Sequence, residues 1–151
     1  MADYTTADIA ELREQTSMGL MDVKKALDEA KGNKIKALEL LKERGAEIME
    51  KKAGRDAAQG LIDTYVHGGR IGVVLEVNCE TDFVARGDDF KAFVHDLAMQ
   101  IAAMAPANVE ALLEQDAIKG GGTVAEILTS VTGKLGEKIV IKRFERFALG
   151  Q

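Results

Sequence analysis

The sequence predicts an α+β protein: an N-terminal three-helix bundle followed by a small three-stranded antiparallel sheet packed with helices. Three observations carry this. Up to Arg44 the apolar residues recur every three or four positions, with no strand-like run. Between Leu61 and Val77 the pattern changes to two runs rich in Ile, Val, Leu and Tyr on either side of Gly68-Gly69. Helical spacing returns after Asp89, and a last strand-like run extends from Lys138 to about Phe147.

The first helix is expected over Thr6–Thr16, where Ile9, Leu12 and Thr16 share helical spacing and Thr5 or Thr6 can act as N-cap. A second, from about Gly19 to Ala30, would bury Leu20, Val23, Ala26, Leu27 and Ala30 and stop at Gly32. Asn33 then caps a third over Lys34–Arg44, whose Ile35, Leu38 and Leu41 form a stripe ahead of Gly45. Helices this short bury little apolar surface, which suits a docking module. Residues 46–60 are charged and Ala-rich, with Lys51, Lys52, Arg55 and Asp56 around Gly54, and read as a helical linker with a solvated face. An RNA contact through Lys51, Lys52 and Arg55 is the alternative.

Strands over Leu61–His67 and Arg70–Val77 flank Gly68-Gly69, a two-residue hairpin signal. Phe90, Phe93, Val94, Leu97, Ile101 and Met104 then lay a helix over one sheet face until Pro106. A helix over Asn108–Ala117 is broken by Gly120-Gly121-Gly122, and Val124, Ile127, Leu128, Val131 and Leu135 mark another before the last strand. The expected organisation is a docking module over residues 1–45, a linker over 46–60 and an α+β core over 61–151.

Composition narrows the function. The 151 residues are 46% hydrophobic and 30% charged, with a formal net charge of −5. That balance fits a folded domain and argues against a general nucleic-acid backbone binder. Cys79 is the single cysteine, so no intramolecular disulfide forms. No signal peptide, transit peptide or membrane-length apolar run is evident, and a cytoplasmic location is expected. His67 and His95 form no recognisable pattern with Cys79 or paired acids, and Gly133-Lys134 lacks the upstream glycine of a phosphate loop. No cofactor, metal ion, membrane or direct nucleic-acid partner is expected, and no covalent catalysis.

The most informative segment is Thr81-Asp82-Phe83-Val84-Ala85, between the second strand pattern and the long helical one. With Asn78-Cys79-Glu80 turning outward, Phe83 falls on a junction at the rim of the domain, either as a core plug or as a probe for a partner. Unaided physical reading favours the core, because a Phe that begins a helical repeat usually packs inward. Asp82, with Thr81, can cap the coming helix, pair with Arg86 four residues on, or meet a partner.

The string Asn78-Cys79-Glu80-Thr81-Asp82-Phe83-Val84-Ala85 resembles the signature of the translation elongation factor Ts family. Leu12-Arg13-Glu14 with Met21-Asp22-Val23-Lys24-Lys25-Ala26-Leu27, and the run Leu135–Phe144, resemble two further family stretches in the same order. The resemblance implies a short form that lacks the second half of the core domain, and a ubiquitin-associated-like (UBA-like) N-terminal module. It implies guanine-nucleotide exchange on elongation factor Tu, in its GDP-bound and nucleotide-free forms. Thr81, Asp82, Phe83 and Val84 would meet the partner and disturb its magnesium site, with Phe83 as the wedge.

Leu12, Met18, Leu20 and Met21 are the candidates for a second contact. Helical phase places Leu12 and Leu20 in the core and makes Met18 and Met21 the better surface residues. The family's Thr-Gly-Ala-Gly-Met-Met run reads Thr16-Ser17-Met18-Gly19-Leu20-Met21 here, so this turn departs from the pattern. A missing half-core implies pairing of two chains, and Ile139, Val140, Ile141, Phe144 and Phe147 on both faces of the last strand suit a homodimer. The rival reading is a dimeric interaction scaffold without exchange activity.

Overall fold

The computed structural model describes residues 3–16 and 18–151, so Ser17 of the Thr16–Met21 run lies outside it. The chain is α+β. Its elements in order are α1 (Thr6–Thr16), α2 (Leu20–Glu29), α3 (Lys34–Lys52), β1 (Gln59–His67), β2 (Ile71–Cys79), α4 (Asp82–Ala85), α5 (Asp88–Met104), α6 (Val109–Glu114), α7 (Val124–Leu135) and β3 (Val140–Ala148). One compact unit comprises the residues up to Ala53 together with Thr129–Gly136; the other comprises Gly54–Leu128 and Glu137–Gln151.

In the first unit, Thr5 starts α1 through a reciprocal cap. Its Oγ1 accepts from the Asp8 N–H at 3.3 Å, and Asp8 Oδ2 accepts from the Thr5 N–H at 2.8 Å. The bonds from Thr5, backbone first, pull the Asp8 carboxyl below its usual range. Asn33 Oδ1 caps α3 by accepting from the Lys36 N–H at 3.1 Å. Ile9, Leu12, Val23, Ala26, Leu27, Ala37 and Leu41 form the core, while Ile35 is exposed and drops out of the expected stripe.

α3 does not end at Gly45; it runs on to Lys52. A Cβ at Gly45 would lie 2.8 Å from Thr129 Cγ2, so this glycine permits a close approach of α7 rather than ending a helix. Its propensity cost of about 1 kcal/mol is offset by that packing.

In the second unit the sheet order is β1-β2-β3, antiparallel throughout. Strand alternation decides what is buried. Val73, Leu75, Val77 and Cys79 of β2 point to one face, and α5 packs on β1 and β2 with Phe90, Phe93, Val94, Leu97 and Ile101 buried. On the opposite face Ile62, Val66, Val74 and Phe147 are exposed. The register brings Val66, Gly72 and Phe147 into one row and Thr64, Val74 and Glu145 into the next.

Several boundaries differ from the sequence reading. Three residues, not two, lie between the paired His67 and Ile71; Gly68 and Gly69 both have positive φ, and the Arg70 N–H closes the turn on His67 O at 3.0 Å. β2 continues past Val77 through Cys79, which is fully buried instead of turning outward. α6 stops at Glu114, because Gln115 is extended and its carbonyl accepts from the Val124 N–H, tying Asp116 to Thr123 in a short bridge. β3 begins at Val140, two residues later than expected. Among the described residues no helix is long and apolar enough to cross a membrane.

Candidate functional site

The site is built from the end of β2 outward. Cys79 is the last residue of the strand, and its thiol donates to Thr81 O at 3.2 Å. Burial, then the negative charge of Glu137, pushes this thiol above its ordinary pKa, so it is protected while the turn is closed. Thr81 is extended, at φ −121° and ψ 150°, and its Oγ1 accepts from the Val84 N–H at 3.3 Å. That is an N-cap for α4, a single helical turn closed by Ala85 N–H on Thr81 O at 3.2 Å and Arg86 N–H on Asp82 O at 3.1 Å.

This turn decides the direction of Phe83. Ala85 is buried, and at about 100° per residue a side chain two positions earlier points to the opposite side. Phe83 is 87% exposed. The expectation from unaided physical reading that it plugs the core is therefore overturned. Asp82 forms an i,i+4 ion pair with Arg86 on the exposed side of the same turn, and Val84 is half-buried beside them. An exposed pair of this kind contributes only a few tenths of a kcal/mol.

Sequence reasoning missed the residue that holds Thr81. Glu137 Oε1 accepts from the Thr81 N–H at 3.0 Å and its Oε2 accepts from the Thr81 hydroxyl at 2.7 Å. Glu80 in turn accepts from the Lys138 N–H at 2.7 Å and from the Arg55 guanidinium at 3.3 Å. No local pattern connects residues 56 positions apart.

In the N-terminal module, Leu12 is 1% and Met18 7% exposed, and both belong to the bundle core. Leu20 and Met21 are 47% and 72% exposed. Phase assigned Leu20 to the core and Met18 to the surface, and the structure reverses both. Met18 lies ahead of α2, where helical phase has no authority, and Leu20 opens α2 beside its Gly19 N-cap, before the buried seam of Val23, Ala26 and Leu27 begins.

The two histidines, unplaced by sequence, belong to a surface cluster. His95 Nδ1 lies 3.1 Å from Asp63 Oδ2, the Tyr65 hydroxyl is 2.9 Å from His67 Nδ1, and the His95 ring meets Tyr65 edge-on at 5.9 Å. Among the described residues no group of His, Cys, Asp and Glu is arranged to hold a metal ion.

The model of the family described as Elongation factor TS matches residues 80–151, from Glu80 through β3. Elongation factor Ts of Alkaliphilus oremlandii is 41% identical over 195 aligned residues, covering 99% of this chain and 90% of that protein. That of Desulfitobacterium hafniense is 40% identical over 198, covering 100% and 91%. Both alignments are longer than the 151 residues of the chain, so these relatives carry internal residues that have no counterpart here. Elongation factor Ts of Streptomyces griseus is 47% identical over 148 residues, covering 97% of this chain and 53% of that protein. The matched segment and these relatives make the chain a translation elongation factor. The chain belongs to the elongation factor Ts family.

Proposed function

We propose that the chain is a guanine-nucleotide exchange factor for elongation factor Tu, acting in the cytoplasm by protein contact and without covalent chemistry. The observation that carries this reading is Phe83, a large apolar side chain held outward on a capped turn inside the segment that the family model matches. Inserted into the partner, Phe83 supplies roughly 1.5–3 kcal/mol of burial. Each 1.4 kcal/mol spent selectively against bound GDP weakens it about tenfold. Thr81, Asp82 and Val84 shape the rim of this contact, and the resulting shift disturbs the partner's magnesium and phosphate site. Leu20 and Met21 supply the second contact from the UBA-like module over residues 1–45; Leu12 and Met18 support it from within the core.

Linkage tests the reading. A factor that expels GDP must bind nucleotide-free elongation factor Tu more tightly than the GDP form, by the same factor by which it weakens GDP. Calorimetric titration of the two forms is expected to show at least a tenfold difference. Equal affinities would overturn the proposal.

We also propose that two chains pair through the open sheet face. Ile62, Val66, Val74 and Phe147 present apolar surface there, beside a shallow groove of about 260 Å³ lined by Ile62, Val74, Arg143 and Phe144. The Glu76–Arg143 pair at 2.9 Å puts both charges on the same face, an arrangement that a two-fold contact can match to itself. Light scattering at micromolar concentration is expected to give the mass of a dimer, and Phe147→Glu the mass of a monomer. A monomeric wild type would contradict the pairing.

A further inference from the structure

The β2–β3 ladder ends where Asn78 pairs with Val140, yet the loops beyond it remain joined. Glu80 reaches across to the Lys138 N–H at 2.7 Å, and Glu137 reaches back to the Thr81 N–H at 3.0 Å. Each loop lends a carboxylate to a backbone amide of the other, so side chains continue the cross-strand pairing after the backbone has stopped. Glu137 makes a second bond, to the Thr81 hydroxyl at 2.7 Å.

A threonine hydroxyl has one hydrogen and two lone pairs. With that hydrogen committed to Glu137, the rotor is fixed and its lone pairs are left for the Val84 N–H at 3.3 Å, which is the cap of α4. Donation to an ionised acceptor also polarises the hydroxyl and makes it the better acceptor. The cap thus has two layers, with Thr81 on the helix and Glu137 on Thr81.

We propose that Glu137, reinforced by Glu80, is the positioning residue that holds the 81–85 turn in the conformation that aims Phe83 outward. Its effect on exchange rests on the reading of Phe83 given above; its hold on the turn does not. Glu137 acts through Thr81, and Glu80 acts one step further back, through the amide of Lys138 that follows Glu137.

Cys79 is a built-in reporter. It is the only cysteine, it is fully buried, and its thiol is bonded to Thr81 O, so it reacts when this turn opens. The test is the rate at which the native full chain reacts with 4,4′-dithiodipyridine at fixed pH. Glu137→Gln keeps the reach but replaces one accepting oxygen with an NH2 that only donates; Glu137→Asp keeps the charge beside the thiol but is one methylene too short to span both bonds. Each variant keeps at most one of the two bonds to Thr81, and each is expected to react about tenfold faster than wild type, independent of low urea. GDP release is expected to fall in both. An Asp variant that reacts at the wild-type rate would overturn the proposal, because it keeps the charge and loses only the reach. If Phe83→Ala left exchange intact, the docking role of Phe83 would fail, while the labelling rate of the Asp variant would still decide whether Glu137 holds the turn.

Discussion

Phe83→Ala is expected to lower the efficiency of GDP release from elongation factor Tu by about tenfold to a hundredfold while leaving folding stability within about 0.5 kcal/mol of wild type. The two halves of this expectation come from one number, the 87% exposure of the side chain. An exposed ring contributes almost nothing to the core it has left, so its removal leaves no cavity. In the proposed docking role its burial comes only in the complex, and about 1.5–3 kcal/mol lost there converts to that range of efficiency. Phe83→Leu should fall between, because it keeps an apolar side chain without the ring. Urea denaturation and stopped-flow GDP release on the same preparations separate the two effects. A stability loss above 1 kcal/mol would return Phe83 to the core.

Phe90→Ala is expected to do the opposite, costing about 3–5 kcal/mol of stability. Phe90 is the largest fully buried side chain, at 0% exposure, and stands in the first turn of α5, five residues beyond Ala85. The backbone around it is committed to the sheet face and to the single turn of α4, so the cavity cannot collapse fully. Against the 5–15 kcal/mol typical of a whole domain, this loss is severe. The urea midpoint should drop with an unchanged slope, and exchange measured at low temperature, where the folded fraction is restored, should recover. A loss under 1 kcal/mol would mean that the α5–sheet packing is not the core of this unit.

The fold class was legible because each long element announces itself locally. The 3.6-residue recurrence of Phe90, Phe93, Val94, Leu97 and Ile101, and the alternation of Val73, Leu75 and Val77, need no knowledge of the rest of the chain. The family was legible in the literal string from Asn78 to Ala85. What failed was what depends on distant partners or on elements too short to have a period. α4 has four residues, so nothing in its pattern says that Ala85 faces inward and Phe83 outward. Gly45 looks like a stop signal until Thr129 is seen against it. Met18, just outside a helix, packs inward against the phase drawn from that helix, whereas Leu20 stays half exposed. The Glu137 hold on Thr81 is invisible for the same reason, since the residues meet only when β3 lies beside β2.

This chain, with its Phe83 turn, is proposed to expel GDP from elongation factor Tu. This expulsion is tested most directly by loading elongation factor Tu with a fluorescent GDP, adding the wild-type chain at a tenth of its concentration with excess unlabelled nucleotide, and following the signal. Release of nearly all the label, well above the spontaneous rate and through many turnovers per chain, is the predicted result. Release at the spontaneous rate, or only in proportion to the chain added, would contradict it.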